Sequence, residues 1–298
     1  MITGKLFFKI SQMGIIFWCL IFANNVSADK YSGSARHSCI KVGKFKQGHC
    51  IEVDGHLLYV KSFGLPLNKN HPAVIFLPGS GNTHYIWEKV APKVAKFSHV
   101  VVYDKTGYGY SQQYKKPVPL TASIVVKNLK NLLETIGVSP PYILVGHSHG
   151  GIYAQDFRLT YPELVSGMVL VDSSTYKLLQ WHRFQNYYPE KDVKLTEPFY
   201  YEALGISSSL KSVEEKMLRK ANHPFGNLPI FILSAGNEKD LGYFTASMER
   251  DWQSFQRQLS KTSNNSVHIN VKNSGHFIQI YQPEVIVDAI YDLIKKQP

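Results

Sequence analysis

Ile143-Leu-Val-Gly-His-Ser-His-Gly-Gly-Ile-Tyr-Ala154 supports two chemistries at once. His147-x-His149 could present two imidazoles to a metal. Ser148, framed by Gly146 and Gly150, could instead be offered to a substrate as a nucleophile. The flanks separate the two readings. Tyr142–Val145 is short, apolar and partly β-branched, as a buried strand is, whereas Ile152–Thr160 has helical character. Gly-x-Ser-x-Gly between a strand and a helix places the serine on a sharp turn, where neighbours with side chains would collide. The start of the helix also favours the negative charge that develops when the serine attacks a carbonyl.

Working outward, the chain alternates apolar runs with amphipathic ones from about residue 48. Cys50–Val53, Leu57–Phe63, Ala73–Leu77, His99–Tyr103, Tyr142–Val145, Met168–Val171, Ile230–Leu233 and Val267–Val271 are the expected strands. The first two are joined at Asp54-Gly55 as a hairpin. Tyr85–Ala95, Ala122–Ile136, Ile152–Thr160, Ala246–Leu259 and Glu284–Lys296 carry helical patterns. In the second helix, Ile124, Val125, Asn128, Leu129, Leu132 and Leu133 form a mostly apolar stripe. This alternation predicts an α/β fold, a mainly parallel eight-stranded sheet with helices on both faces. The interval from about 174 to 227 breaks the rhythm. It carries Trp181, Phe184, Tyr187, Tyr188, Phe199, Tyr200 and Tyr201, and is too short for a core of its own, so it reads as an inserted cap.

Two further loops come to the same sheet edge. Pro78-Gly79-Ser80-Gly81 ends the strand Ala73–Leu77. Its Ser80 N–H, with the His149 N–H beside the nucleophile, is the expected oxyanion hole, because close approach of a substrate oxygen needs small neighbours. Asn273-Ser-Gly-His-Phe-Ile278 follows the last strand and precedes the last helix. Of the twelve histidines, His276 alone combines that placement with a small-residue run, and is the expected base.

From about Gly48 onward the chain resembles the α/β-hydrolase superfamily. LPGSGNTHYIWEKVAP is similar to its oxyanion loop and following helix, with Pro78 where many members have histidine. YDKTGYGYS (Tyr103–Ser111) resembles its Asp-x-x-Gly-x-Gly-x-Ser turn, and GHSHGG and SGHFI resemble its nucleophile and histidine loops. The resemblance implies a serine hydrolase in which Ser148 attacks, His276 shuttles the proton and an acid orients the histidine. Relatives with dehalogenase or epoxide hydrolase activity use aspartate where Ser148 stands, which disfavours those chemistries.

The acid has three candidates. Most relatives place it after the penultimate strand, where this chain reads Ser234-Ala-Gly-Asn-Glu-Lys-Asp240; Glu238 and Asp240 are the carboxylates there, and neither fits a Gly-x-x-Asp spacing. Asp172 ends the strand Met168–Val171 at the same edge as Ser148, an arrangement that resembles certain haloalkane dehalogenases. Asp172 is preferred, against the reading that it only holds the amides of the Ser173-Ser174-Thr175 turn.

The metal reading of His147 and His149 finds no further ligand cluster nearby, so neither metal nor cofactor is expected; His149 is expected to face the pocket and His147 to pack beneath the turn. Gly107-Tyr-Gly109 lacks the third glycine of a dinucleotide site and is read as structural. The formal charge is +11, but the basic residues are scattered without a nucleic-acid motif. That points to a solvated surface, compatible with contact to an anionic membrane.

The first residues have the order of a secretory signal peptide. Lys5 and Lys9 precede an apolar run of 11 residues, Met13–Ala23, and Asn24–Ala28 ends in small residues. Residues 1–28 are therefore read as an export signal and 29–47 as an N-terminal segment ahead of the hydrolase domain, 48–298. Removing the signal takes the charge to +9 and leaves Cys39 and Cys50, which in an oxidising compartment are expected to pair. The expected function is an exported hydrolase of carboxylic esters, with a small apolar ester as the substrate. Thioesterase, peptidase or acyltransferase activity, or ligand binding without turnover, are the alternatives.

Overall fold

Ala73–Leu77 is buried at all five positions, a pattern that a strand satisfies only when both sheet faces are covered. The same holds for Tyr142–His147 and Ile230–Ala235. These runs form the middle of an eight-stranded sheet: β1 (His49–Val53), β2 (His56–Gly64), β3 (Ala73–Leu77), β4 (His99–Tyr103), β5 (Tyr142–His147), β6 (Val165–Val171), β7 (Ile230–Ala235) and β8 (Ser266–Val271). The protein is represented by a computed structural model that describes residues 48–67, 71–180, 197–220, 222–236 and 246–296. The signal-peptide region, the segment 29–47 with Cys39, Glu238 and Asp240 lie outside the described residues.

The strand order is β1-β2-β4-β3-β5-β6-β7-β8. Only β2 runs against its neighbours; from β4 to β8 every pairing is parallel. The β1–β2 hairpin turns at Asp54 (φ 48°) and Gly55 (φ 79°). Two successive left-handed residues match the right-handed twist of the strands, and Asp-Gly is suited to that turn.

The α-helices among the described residues are α1 (Ala91–Val94), α2 (Ala122–Thr135), α3 (His149–Thr160), α4 (Glu197–Leu218) and α5 (Ala246–Leu259) between strands, and α6 (Ile278–Tyr281) and α7 (Pro283–Lys295) after the last one. The crossover from β3 to β4 moves one way along the sheet and that from β5 to β6 the other. Right-handed crossovers therefore put α1 and α3 on opposite faces. In keeping with this, α1 packs on α7, whereas α3 packs between α2 and α4.

The expected helix over Tyr85–Ala95 is a correction. The stretch is a 3-10 turn, His84–Trp87, followed after a break by the single-turn α1. Pro92 has no N–H to donate, so an α-helix can begin at this point but cannot run through it. The helix after Ser148 starts three residues earlier than its apolar pattern, directly at His149. Within the 174–227 interval the described part is dominated by α4, a 22-residue helix that the sequence reading did not anticipate.

The crossover leaving β3 runs one way along the sheet and that leaving β5 runs the other, so the winding reverses between these two parallel neighbours. In parallel sheets this is where the carboxyl ends of adjacent strands open a crevice. Both the Pro78–Gly81 loop and the Ser148 turn lie at that point.

Candidate active site

Ser148 has φ 52° and ψ −125°. A non-glycine residue there is strained, at a cost of about 1–3 kcal/mol that the surrounding structure must offset. The turn does so by hydrogen bonding: Ser148 N–H donates to Val171 at 3.0 Å, and its carbonyl accepts from Gly151 N–H (3.0 Å) and Ser174 N–H (2.9 Å). The flanking glycines are needed for close approach. A Cβ on Gly146 would stand 2.5 Å from the Gly150 carbonyl oxygen, and one on Gly150 would fall onto the Leu77 carbonyl. The elbow is thus wedged against the end of β3 and laced to the end of β6.

Asp172 directly follows β6 and also has positive φ, 39°. Its N–H continues the pairing with β7, donating to Leu233 at 2.7 Å. The side chain then divides its two oxygens. Oδ1 accepts from Ala235 N–H at 3.0 Å and from Trp252 Nε1–H of α5 at 2.9 Å. Oδ2 lies 2.6 Å from His276 Nδ1. Asp172 does not spend its oxygens on the amides of Ser173–Thr175. Asp172 is in contact with His276; the other two candidate carboxylates, Glu238 and Asp240, lie outside the described residues.

His276 is 1% exposed, Asp172 0% and Ser148 5%, so the three groups lie in a site largely shielded from bulk water. With Nδ1 donating to a carboxylate, the neutral His276 ring carries its lone pair on Nε2. The ring is held from below by His147, whose centroid is 4.5 Å away and whose Nε2–H donates to the His276 carbonyl at 3.1 Å. Burial, and next the proximity of His276, drive the His147 pKa well below its usual value, so it is a neutral packing residue. His149 stands apart, its ring edge-on to Tyr153 at 4.9 Å. Burial lowers its pKa to about 4, against the pull of nearby Glu202. The two histidines of the opening motif thus serve different surroundings. Among the described residues no group of three or more His, Cys, Asp and Glu is arranged to hold a metal ion.

The Pro78–Asn82 loop sits over the elbow: a Cβ on Gly79 would be 3.1 Å from the Ser148 Cβ. Ser80 is buried, and its hydroxyl has no hydrogen-bond partner among the described residues. The Tyr103–Ser111 turn supports this region. Asp104 Oδ1 accepts from the His84 N–H (2.7 Å) and ring Nδ1 (2.9 Å), and Oδ2 from Tyr110 N–H at 3.0 Å. Gly107 and Gly109 therefore belong to a structural turn.

Sequence reasoning missed three residues that the site uses. Trp252 reads as a core aromatic on an amphipathic helix, yet its indole N–H holds Asp172. Lys105 and Glu202 form a fully buried ion pair at 3.3 Å against the Pro78–Asn82 loop. The one available signal was charge in apolar company, Glu202 within Phe199-Tyr200-Tyr201-Glu202-Ala203-Leu204; Lys105 sits in the polar run Asp104-Lys105-Thr106 and carried no such signal.

Comparison with known proteins agrees with this architecture. The family model described as alpha/beta hydrolase fold matches residues 72–197. Over 221 residues the chain is 30% identical to the Bacillus subtilis protein named Uncharacterized protein YqjL, covering 74% of this chain and 82% of that protein. Among solved structures, a Vigna radiata epoxide hydrolase superposes with a TM-score of 0.62 at 19% identity, covering 84% of this chain and 98% of the other. A thermophilic esterase from Thermogutta terrifontis gives 0.59 at 17%, again with 84% and 98% covered. At such identities these two likenesses speak to the fold alone. The family model and the 30% identical relative, which covers 74% of the chain, show that this chain belongs to the α/β-hydrolase superfamily.

Proposed function

We propose that the protein is an exported serine hydrolase of carboxylic esters, with Ser148 as nucleophile, His276 as general base and Asp172 as the acid that orients it. The observation that carries this reading is the 2.6 Å His276–Asp172 contact, made at the sheet edge where Ser148 is held in strained geometry. His276 Nε2 takes the Ser148 proton as Oγ attacks the carbonyl carbon, and Asp172 stabilises the imidazolium formed. The oxyanion is received by the N–H groups of Ser80 and His149. Collapse expels the alcohol, which takes the proton from His276. Water then repeats the sequence on the acyl-enzyme.

Serine rather than aspartate at the elbow favours acyl transfer over epoxide opening, in which a carboxylate nucleophile is used. The low exposure of Ser148 and His276 favours an uncharged ester that loses little hydration on entry. Export is supported by the composition of residues 1–28 and by Cys50, which is disulfide-bonded.

A panel of p-nitrophenyl esters of graded acyl length, with matched amides and thioesters, tests the substrate class. The expected result is ester turnover that depends on acyl length, weak or absent amide cleavage, and no turnover by Ser148→Ala. Ester turnover by Ser148→Ala at the wild-type rate would refute the mechanism. Preference for thioesters would move the substrate class while leaving the nucleophile in place.

A further inference from the structure

The loop proposed to hold one oxyanion donor is gripped by two buried charges from different parts of the fold. Lys105, in the turn after β4, sends its ammonium to the Gly79 carbonyl at 2.5 Å and to the Pro78 and Asn82 carbonyls at 3.4 Å each. Glu202, on cap helix α4, accepts from Gly81 N–H at 3.0 Å, Tyr108 O–H at 2.5 Å and Tyr153 O–H at 2.8 Å. The two side chains meet at 3.3 Å and both are 0% exposed.

These contacts fix the orientation of one particular N–H. The Gly79–Ser80 peptide is planar and trans, so its C=O and N–H point in opposite directions. With the Gly79 carbonyl drawn onto Lys105 at 2.5 Å and receiving the Asn82 N–H more weakly at 3.2 Å, the Ser80 N–H is turned away from the lysine. The next peptide is held at both ends: the Ser80 carbonyl accepts from Asn82 Nδ2 at 2.7 Å, and the Gly81 N–H is consumed by Glu202. Ser80 N–H is therefore the amide whose direction the ion pair sets without using it up. Burial pushes the Glu202 carboxyl up, but the Lys105 ammonium, the Tyr108 hydroxyl, His149 and the Gly81 N–H outweigh it and hold it below its ordinary value. Glu202 is thus a carboxylate at neutral pH.

Stability alone does not account for such a pair. A buried ion pair is often no more stabilising than apolar side chains of the same volume. We propose that Lys105 and Glu202 are positioning residues of the oxyanion hole, through which cap helix α4 sets the direction of the Ser80 N–H. This rests on the serine-hydrolase reading above. The substrate touches neither residue; they act through the loop.

The test compares Lys105→Met, Glu202→Gln and the double variant, which removes both charges without leaving one unpaired. Three readouts are taken for each: kcat and KM on the best ester, the inhibition constant of a matching trifluoromethyl ketone, and that of the carboxylate product. The ketone adds Ser148 Oγ to its carbonyl carbon; the C–O bond forms, the serine proton passes to His276, and the carbonyl oxygen becomes an oxyanion in the hole. A displacement of the donor by ~1 Å is expected to lower kcat by about 10- to 100-fold. Ketone affinity should fall in parallel, while KM and product affinity stay within about threefold of wild type, since neither needs the oxyanion donor. Equal losses of ketone and product affinity, unchanged kcat, or loss of the fold in all three variants would overturn the proposal and make the pair merely structural. A wild-type enzyme that neither turns over esters nor forms the ketone adduct would instead reject the hydrolase reading itself.

Discussion

Asp172 ties three parts of the molecule through one carboxylate: β7 by the Ala235 N–H, α5 by Trp252, and His276 by its second oxygen. Asp172→Asn keeps the shape but can present an N–H to His276 Nδ1, which stabilises the wrong imidazole tautomer. A loss of about ten-thousandfold in kcat is expected, the scale of a comparable change in a known triad. Glu238→Gln and Asp240→Asn should lose far less; if one of them is crippled while Asp172→Asn stays active, the acid lies after β7 instead. His149 offers a second test at this scale. Its pKa falls from the ordinary 6.5 to about 4 because burial disfavours the charged ring. The unfolded chain then binds the proton more tightly than the folded one, so stability contributed by the neutral ring is present above pH ~6.5 and is lost as pH falls toward 4. At about 1.4 kcal/mol per pH unit this is on the order of 3 kcal/mol. Urea melts of wild type and His149→Gln from pH 7 to 4 should diverge in slope accordingly; parallel curves would contradict the assignment.

Cap helix α4 is fastened to the sheet domain along its length. Near its start, Leu120 N–H donates to the Tyr201 carbonyl at 2.8 Å. Midway, the Ser209 hydroxyl accepts from Ala122 N–H, at the first turn of α2, at 2.8 Å. Toward its end, Lys216 reaches Asp156 Oδ1 of α3 at 2.6 Å and Thr160 Oγ1 at 2.9 Å. Ser209→Ala leaves the buried Ala122 N–H without this acceptor and should destabilise by about 1–3 kcal/mol. A calorimetric Tm lowered by several degrees checks this; an unchanged Tm would show that the cap carries no such load. The strands and the elbow were legible in the sequence because buried parallel strands are continuous apolar runs and the elbow tolerates only small flanks. The helix α4 was not, because Phe199, Tyr200 and Tyr201 stand consecutively and blur any helical stripe. Nor were the Lys105–Glu202 and Trp252–Asp172 contacts, which join residues distant in the chain. Pro92 divides the Tyr85–Ala95 stretch, whose apolar residues by themselves have the spacing of one helix.

At the scale of the whole molecule, the sheet brings the ends of β3, β5, β6 and β8 to one edge, and each end delivers one functional loop. The resemblance to α/β-hydrolases carried this arrangement, and the order of the motif loops in the chain pointed to Ser148 and His276; Asp172 was one of three candidate acids in the sequence, and its contact with His276 is visible only in the structure. The substrate is less legible, because it depends on the cap rather than on the sheet. If the chain is exported as proposed, Cys39 and Cys50 should be protected from alkylation in non-reduced protein; mass spectrometry that finds two modified thiols would contradict the pairing. The mechanism itself is tested most directly by fluorophosphonate labelling of the folded protein, followed by peptide mapping. One adduct per chain is expected, on Ser148, with its formation abolished in Ser148→Ala and strongly slowed in Asp172→Asn. An ester-hydrolysing protein that takes up no label, or takes it on another residue while Ser148→Ala keeps its turnover, would contradict it.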